Sequence, residues 1–299
     1  MDPTTKAILS SWDWRISVII VLALAGTFYT RGWWQLRRRQ RHGRLATGWR
    51  LVSYLAGLLI IGLALMSPID VLAQQLFLMH MTQHLLLIMI APPLLLITNP
   101  MPFMLWGLPA SWRLKVGRAI GRLLHRNNPL RRNLRVATSP GIIWLAWVIM
   151  VFGWHDPNLY NAALQYEWVH DIEHLTFFSA GMLFWWHTTG AGPRIHKQAS
   201  LLGRIAFVIG AIPPNMLTGV VLAFATEPIY TYYLAVPRLW GLSVMADQQI
   251  GGVIMWVPGS MMYIIAALIL LSRLLDNEDN KPVLPEKAWG SDEAVVAPK

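Results

Sequence analysis

The chain has 299 residues, of which 55% are hydrophobic and only 13% charged, against the ~25% charged share of an average soluble domain. A formal charge of +10 could suggest nucleic acid, but the basic residues fall in the gaps between apolar runs, as anchors facing an anionic membrane surface do, and nucleic acid is set aside. Zero cysteines exclude a disulfide frame, a thiolate metal site and a cysteine nucleophile, while sixteen Trp and fourteen Met suit a chain dissolved in lipid.

In chain order, seven apolar segments approach the roughly 20 residues needed to cross a bilayer: 14–30, 49–66, 76–98, 140–154, 167–188, 204–224 and 246–272. The expected fold is all-α, a polytopic membrane helical bundle of about seven transmembrane helices. The first run follows Asp2 and Asp13 and ends in Arg-rich sequence without a small-residue cleavage site, so it reads as a retained span. Arg31, Arg37, Arg38, Arg39, Arg41, Arg44 and Arg50 follow it, Arg113 through Arg135 precede the fourth span, and Arg194, Lys197 and Arg204 precede the sixth. The alternate gaps 67–75 and 155–166 hold no Lys or Arg, and 225–245 holds only Arg238. This alternation places the N-terminus outside and the C-terminus in the cytoplasm.

The longest loop, 103–139, carries Trp112, Val116, Ile120, Leu123 and Leu124 at helical spacing opposite Lys115, Arg118, Arg122 and Arg126, an interfacial amphipathic helix. Residues 1–275 therefore form one membrane domain, and the polar tail 276–299, with Asp276, Glu278, Asp279 and Pro282, is expected to be disordered. There is no internal repeat. Pro92-Pro93, Pro213-Pro214 and Pro258 fall inside spans, where each removes a backbone donor and bends the helix.

Ionisable groups inside a bilayer are costly, so their positions carry the functional argument. His80 and His84 are four apart near the outer end of the third span, and His170 and His174 repeat that spacing near the outer end of the fifth. Each pair lies on one helical face. Both helices run inward from that side, so all four imidazoles belong to the outer leaflet. His155 ends the fourth span at the same level and Asp247-Gln248-Gln249 open the seventh. Neutral imidazole binds copper, zinc or iron and thioether favours Cu(I), so His beside Met66, Met79 and Met81 suits copper best. Asp247, Glu173 and Asp171 are candidates to fix the ring tautomers. His187, His196 and His42 receive no role.

Three segments carry a resemblance. Met79-His80-Met81-Thr82-Gln83-His84 runs on to Ala91-Pro92-Pro93. His155-Asp156-Pro157 precedes Tyr160, the His170 and His174 pair and Phe184-Trp185-Trp186. Asp247-Gln248-Gln249 continues to Met255-Trp256-Val257-Pro258-Gly259. Together, over residues 66–272, they resemble the multi-spanning CtaG family of cytochrome c oxidase assembly factors. The resemblance implies a non-enzymatic role in maturing a haem–copper oxidase in a bacterial inner membrane. It implies copper as cargo and His80, His84, His170 and His174, with His155 and Asp247, as copper-handling residues. Oxidase subunits and extracytoplasmic copper chaperones would be partners. Two other readings stay open. A zinc hydrolase could draw its site from His80, His84, His170 and Asp247 with Glu173 as acid or base, and a haem-binding electron carrier could use one His from each helix.

Overall fold

The computed structural model describes residues 3–39, 45–125, 127–193 and 195–280. Arg41, His42, Arg44, Arg126, Arg194 and the tail from 281 lie outside them. Sixteen α-helices and one π-helical segment make up the described structure, with no strand among these residues.

Helix α1 (Pro3–Ser10) leads to α2 (Ile16–Arg39), a 24-residue rod whose last turn is Arg37, Arg38 and Arg39. The guanidinium groups of Arg37 and Arg38 lie over the Trp33 and Trp34 rings at 5.1 and 4.8 Å from the ring centroids, the pairing of cation and amphipathic ring that suits a membrane–water boundary. Helix α3 (Gly48–Met66) follows, and Ser67 caps the short α4 (Pro68–Ala73) by accepting from Ile69 N. The next rod has three parts: α5 (Phe77–His84), the π segment Leu85–Ile90, and α6 (Ala91–Leu96).

The sequence explains the π segment. Pro92 has no N–H to offer Ile88 O, so the helix widens: Ala91 N donates to Leu86 O, and the Trp185 indole donates to the freed Ile88 carbonyl at 2.9 Å. The effect of the prolines on this span is therefore a widening of the helix immediately after His84.

Helix α7 (Pro100–Gly107) packs against α2 so closely that a Cβ at Gly32 or Gly107 would collide with the backbone of Phe103 or Phe28. Beyond it come α8 (Ala110–Leu123) and α9 (Pro129–Ala137), neither with a buried residue, in keeping with the amphipathic helix expected there. Helix α10 (Pro140–Trp154) is bent 50° from α9. Asp156 caps α11 (Pro157–Gln165) through the Asn158 and Leu159 N–H groups. Helix α12 (Glu167–Thr189) ends on Gly190, whose φ of 68° is the left-handed conformation that closes a helix at low cost. The sixth predicted segment is broken at Gly210 into α13 (Leu201–Ile209) and α14 (Ile212–Phe224), and a short α15 (Tyr232–Ala235) precedes α16 (Val244–Asp279). Trp147, Phe184, Trp185, Val208 and Tyr263 form the centre of the apolar core.

By length and composition, five rods can cross a membrane: Ile16–Arg39, Gly48–Met66, Phe77–Leu96, Leu201–Phe224 and Val244–Asp279. The bent pair α9 and α10 would make a sixth. The molecule is thus a polytopic helical membrane protein, with fewer self-evident spans than the seven expected. Helix α10 alone has 15 residues, about 22 Å against a hydrocarbon core of roughly 30 Å. Helix α12 has the length but carries Glu167, His170, Asp171, Glu173 and His174 in its first turns. A second boundary also moves: α16 continues through Asp276, Glu278 and Asp279, so the break expected after 275 falls inside a helix.

Candidate metal centre

Spacing of four on α5 and again on α12 places His80 above His84 and His170 above His174, and the two helices face each other. Ring centroids are 5.4 Å apart for His80 and His170, 5.4 Å for His84 and His174, and 6.1 Å for His80 and His174. The Nε2 atoms of His80 and His84 share a hydrogen bond of 2.9 Å. All four histidines are buried.

Glu173 occupies the middle. It follows His170 by three residues, which brings it round to the same face, and its side chain is fully buried. Its Oε2 lies 3.6 Å from His80 Nε2 and its Oε1 3.6 Å from His84 Nε2. Among the described residues neither oxygen has a hydrogen-bond donor, and His170 Nε2, His84 Nδ1 and both ring nitrogens of His174 have no partner. Buried polar atoms are nearly always paired, and so many orphans in one place make this cluster the candidate ligand site. Two sets of three residues have potential ligand atoms within 4.8 Å of one another: His80, His84 and His174, and His80, His170 and Glu173. Imidazole nitrogens with one carboxylate fit a borderline or soft transition-metal ion and ill suit Mg²⁺ or Ca²⁺, which demand oxygen.

Among the other residues singled out by sequence, His155 turns its Nδ1 to Val151 O at 2.7 Å and leaves Nε2 buried and unpartnered. It borders a cavity of about 40 Å³ beside His84, together with Met81, Met89 and Phe177. His155 is therefore a neighbour of the cluster rather than a member of either ligand set. Of the three methionines proposed as ligands, Met81 alone borders this cavity.

Asp247 departs from expectation. Its oxygens accept from Phe77 N at 3.0 Å and Leu78 N at 2.9 Å, and Arg238 donates to Oδ2 at 2.8 Å. The carboxylate is spent on the N-terminus of α5, where free N–H groups and the helix dipole favour an anion, and is not directed at the histidines. Asp171 is likewise engaged elsewhere. Arg15 binds it at 3.1 Å, Asp13 at 2.9 Å and Asp70 at 3.2 Å, and Asp70 in turn accepts from Gln83 at 2.6 Å, so an ionic network closes over the cluster from the α4 side. His187 and His196 both turn to Thr138, away from the cluster. Glu173 is the residue that sequence reasoning undervalued, as a helper of ring orientation rather than a member of the ligand set. The signal was present in His170-Asp171-Ile172-Glu173-His174, where i and i+3 share a face and i+1 does not.

Fold and site together define a helical membrane protein with a buried histidine–glutamate cluster held between two of its helices. The chain belongs to the family described as cytochrome c oxidase caa3 assembly factor, which its residues 27–277 match. It is also 25% identical over 284 residues to an uncharacterized protein of Mycobacterium bovis, covering 91% of this chain and 40% of that one. An uncharacterized protein of Mycobacterium leprae is 25% identical over 275 residues, 87% of this chain and 39% of the relative. The chain thus spans about two fifths of the length of the curated relatives it matches. No solved structure matches it.

Proposed function

We propose that this protein supports maturation of cytochrome c oxidase by holding copper, as cargo, at the cluster of His80, His84, His170, His174 and Glu173. The observation that carries this reading is the convergence of four buried imidazoles from two helices around one buried carboxylate without a hydrogen-bond donor. The family supports the oxidase as the destination. Met81 beside His84 adds a thioether at the cavity, which suits Cu(I), and His155 borders the same cavity as a secondary contact. On this reading α10 and α12 complete seven spans in a bacterial inner membrane, with the cluster in the outer leaflet, where extracytoplasmic copper chaperones and oxidase subunits have access.

The residues divide the work. Imidazoles supply neutral nitrogen donors, and Glu173 supplies a negative charge that favours a cation over water in a low-dielectric pocket. Asp247 and Arg238 hold α5 in place without touching the cargo. The zinc hydrolase reading loses Asp247 as a ligand, and the haem reading needs a macrocycle between rings that already stand 5.4 Å apart at their centroids.

Metal content by mass spectrometry on detergent-purified protein from copper-supplied cells, beside His80→Ala/His84→Ala, tests the proposal. Copper in near-equimolar amount that the variant loses is expected. Zinc in place of copper, or equal copper in both proteins, overturns it.

A further inference from the structure

A second polar recess lies at the other end of α12, about 27 Å along the helix from His170 at 1.5 Å per residue. Its volume is about 170 Å³. Arg204, Arg273, Thr188 and Thr189 line its polar side, and Ile97 and Ile269 lie along its apolar wall. Arg204 is 6% exposed. Its Nε and Nη2 donate to Thr188 O, and Nη1 makes no hydrogen bond among the described residues. No carboxylate pairs with either arginine among the described residues, although burying one cation beside another without a counter-charge is costly.

We propose that this recess binds the phosphate headgroup of an anionic membrane lipid. Three observations carry it. The guanidinium groups of Arg204 and Arg273 meet at one recess with no carboxylate paired to either among the described residues, while the Thr188 and Thr189 hydroxyls beside them already donate to Phe184 O and Trp185 O. Ile97 and Ile269, 41% and 49% exposed, open the recess to the outer surface of the bundle, where acyl chains lie, so the site is amphipathic as a lipid is. The recess also sits at the boundary: Ser53 near the start of α3, three residues after Arg50, donates to Leu94 O three residues before Ile97. Basic recesses between membrane helices are the usual seats of anionic headgroups, and a guanidinium fork matches phosphate oxygens.

Native mass spectrometry of the detergent-solubilised chain, titrated with phosphatidylglycerol or phosphatidylcholine, tests the proposal. Arg204→Gln is the direct variant, but Arg204 is buried and its loss could unfold the end of α12, so exposed Arg273→Gln is the deciding one. Preferential retention of phosphatidylglycerol is expected, weakened roughly fivefold in Arg273→Gln and undiminished by millimolar inorganic phosphate. Equal retention of the two lipids, or unchanged retention in Arg273→Gln, overturns it. Displacement by inorganic phosphate also overturns it and assigns the recess to a soluble anion. Copper content of the same samples reads the histidine cluster separately, so the two proposals fail independently.

Discussion

Glu173 stands between two pairs of histidines with neither carboxylate oxygen receiving a donor among the described residues, an arrangement that a bound cation would satisfy. Glu173→Gln keeps the shape and removes the charge. Copper affinity, measured by chelator competition, should fall at least about tenfold, at the lower end of what supporting carboxylates contribute to metal sites. Unchanged affinity would leave the histidines as the whole site. The four histidines were legible in the sequence because a repeat of four is a helical face and two such repeats at equal depth rarely coincide. The role of Asp247 was not legible. Its partners Phe77 and Leu78 lie some 170 positions away in the chain, and no local pattern distinguishes a carboxylate that caps a distant helix from one that binds a metal. The same limit applied to Asp171, whose partner Arg15 is 156 positions distant.

At the level of helices, close contact between α14 and α16 depends on glycine. A Cβ at Gly219 would stand 2.7 Å from Trp256 N and 2.8 Å from Gly252 O, with Gly252 equally tight against Ala223 N at 2.5 Å. Small residues of this kind let membrane helices approach where lipid offers no hydrophobic drive to pair them. Gly219→Leu should lower stability by about 1–3 kcal/mol through overpacking, seen as an earlier thermal unfolding transition in detergent; an unchanged transition would mean that α14 and α16 part freely. Most helix positions could be read from apolar runs, and the proline pairs lie just after the places where two rods depart from regular α-helix. The form of the first departure could not be read, since widening into a π segment depends on Trp185 reaching Ile88 O from another helix. Helix α12 was legible as a helix but reads poorly as an apolar span, because the groups that build the site are the ones that lower its hydropathy.

For the whole molecule, sidedness decides whether the cluster faces the compartment from which oxidase copper arrives. A chain without cysteine permits a direct test. Single cysteines at exposed Asn158, near His155, and exposed Ala119, on α8, should behave oppositely toward a membrane-impermeant maleimide in intact cells. Residue 158 should label at once and residue 119 only after permeabilisation, and the reverse pattern would invert the topology. The charge alternation that leads to this expectation is a property of the entire sequence, whereas the contact between the third and fifth segments, on which the cluster depends, appears only in three dimensions. Asp247 holds both leading N–H groups of α5 and is itself held by Arg238, so this helix cannot slide along its axis without abandoning a buried charge. On the copper reading proposed above, an ion would then enter or leave by rotation of imidazole rings or by movement of α12, whose outer end Arg15 holds through Asp171.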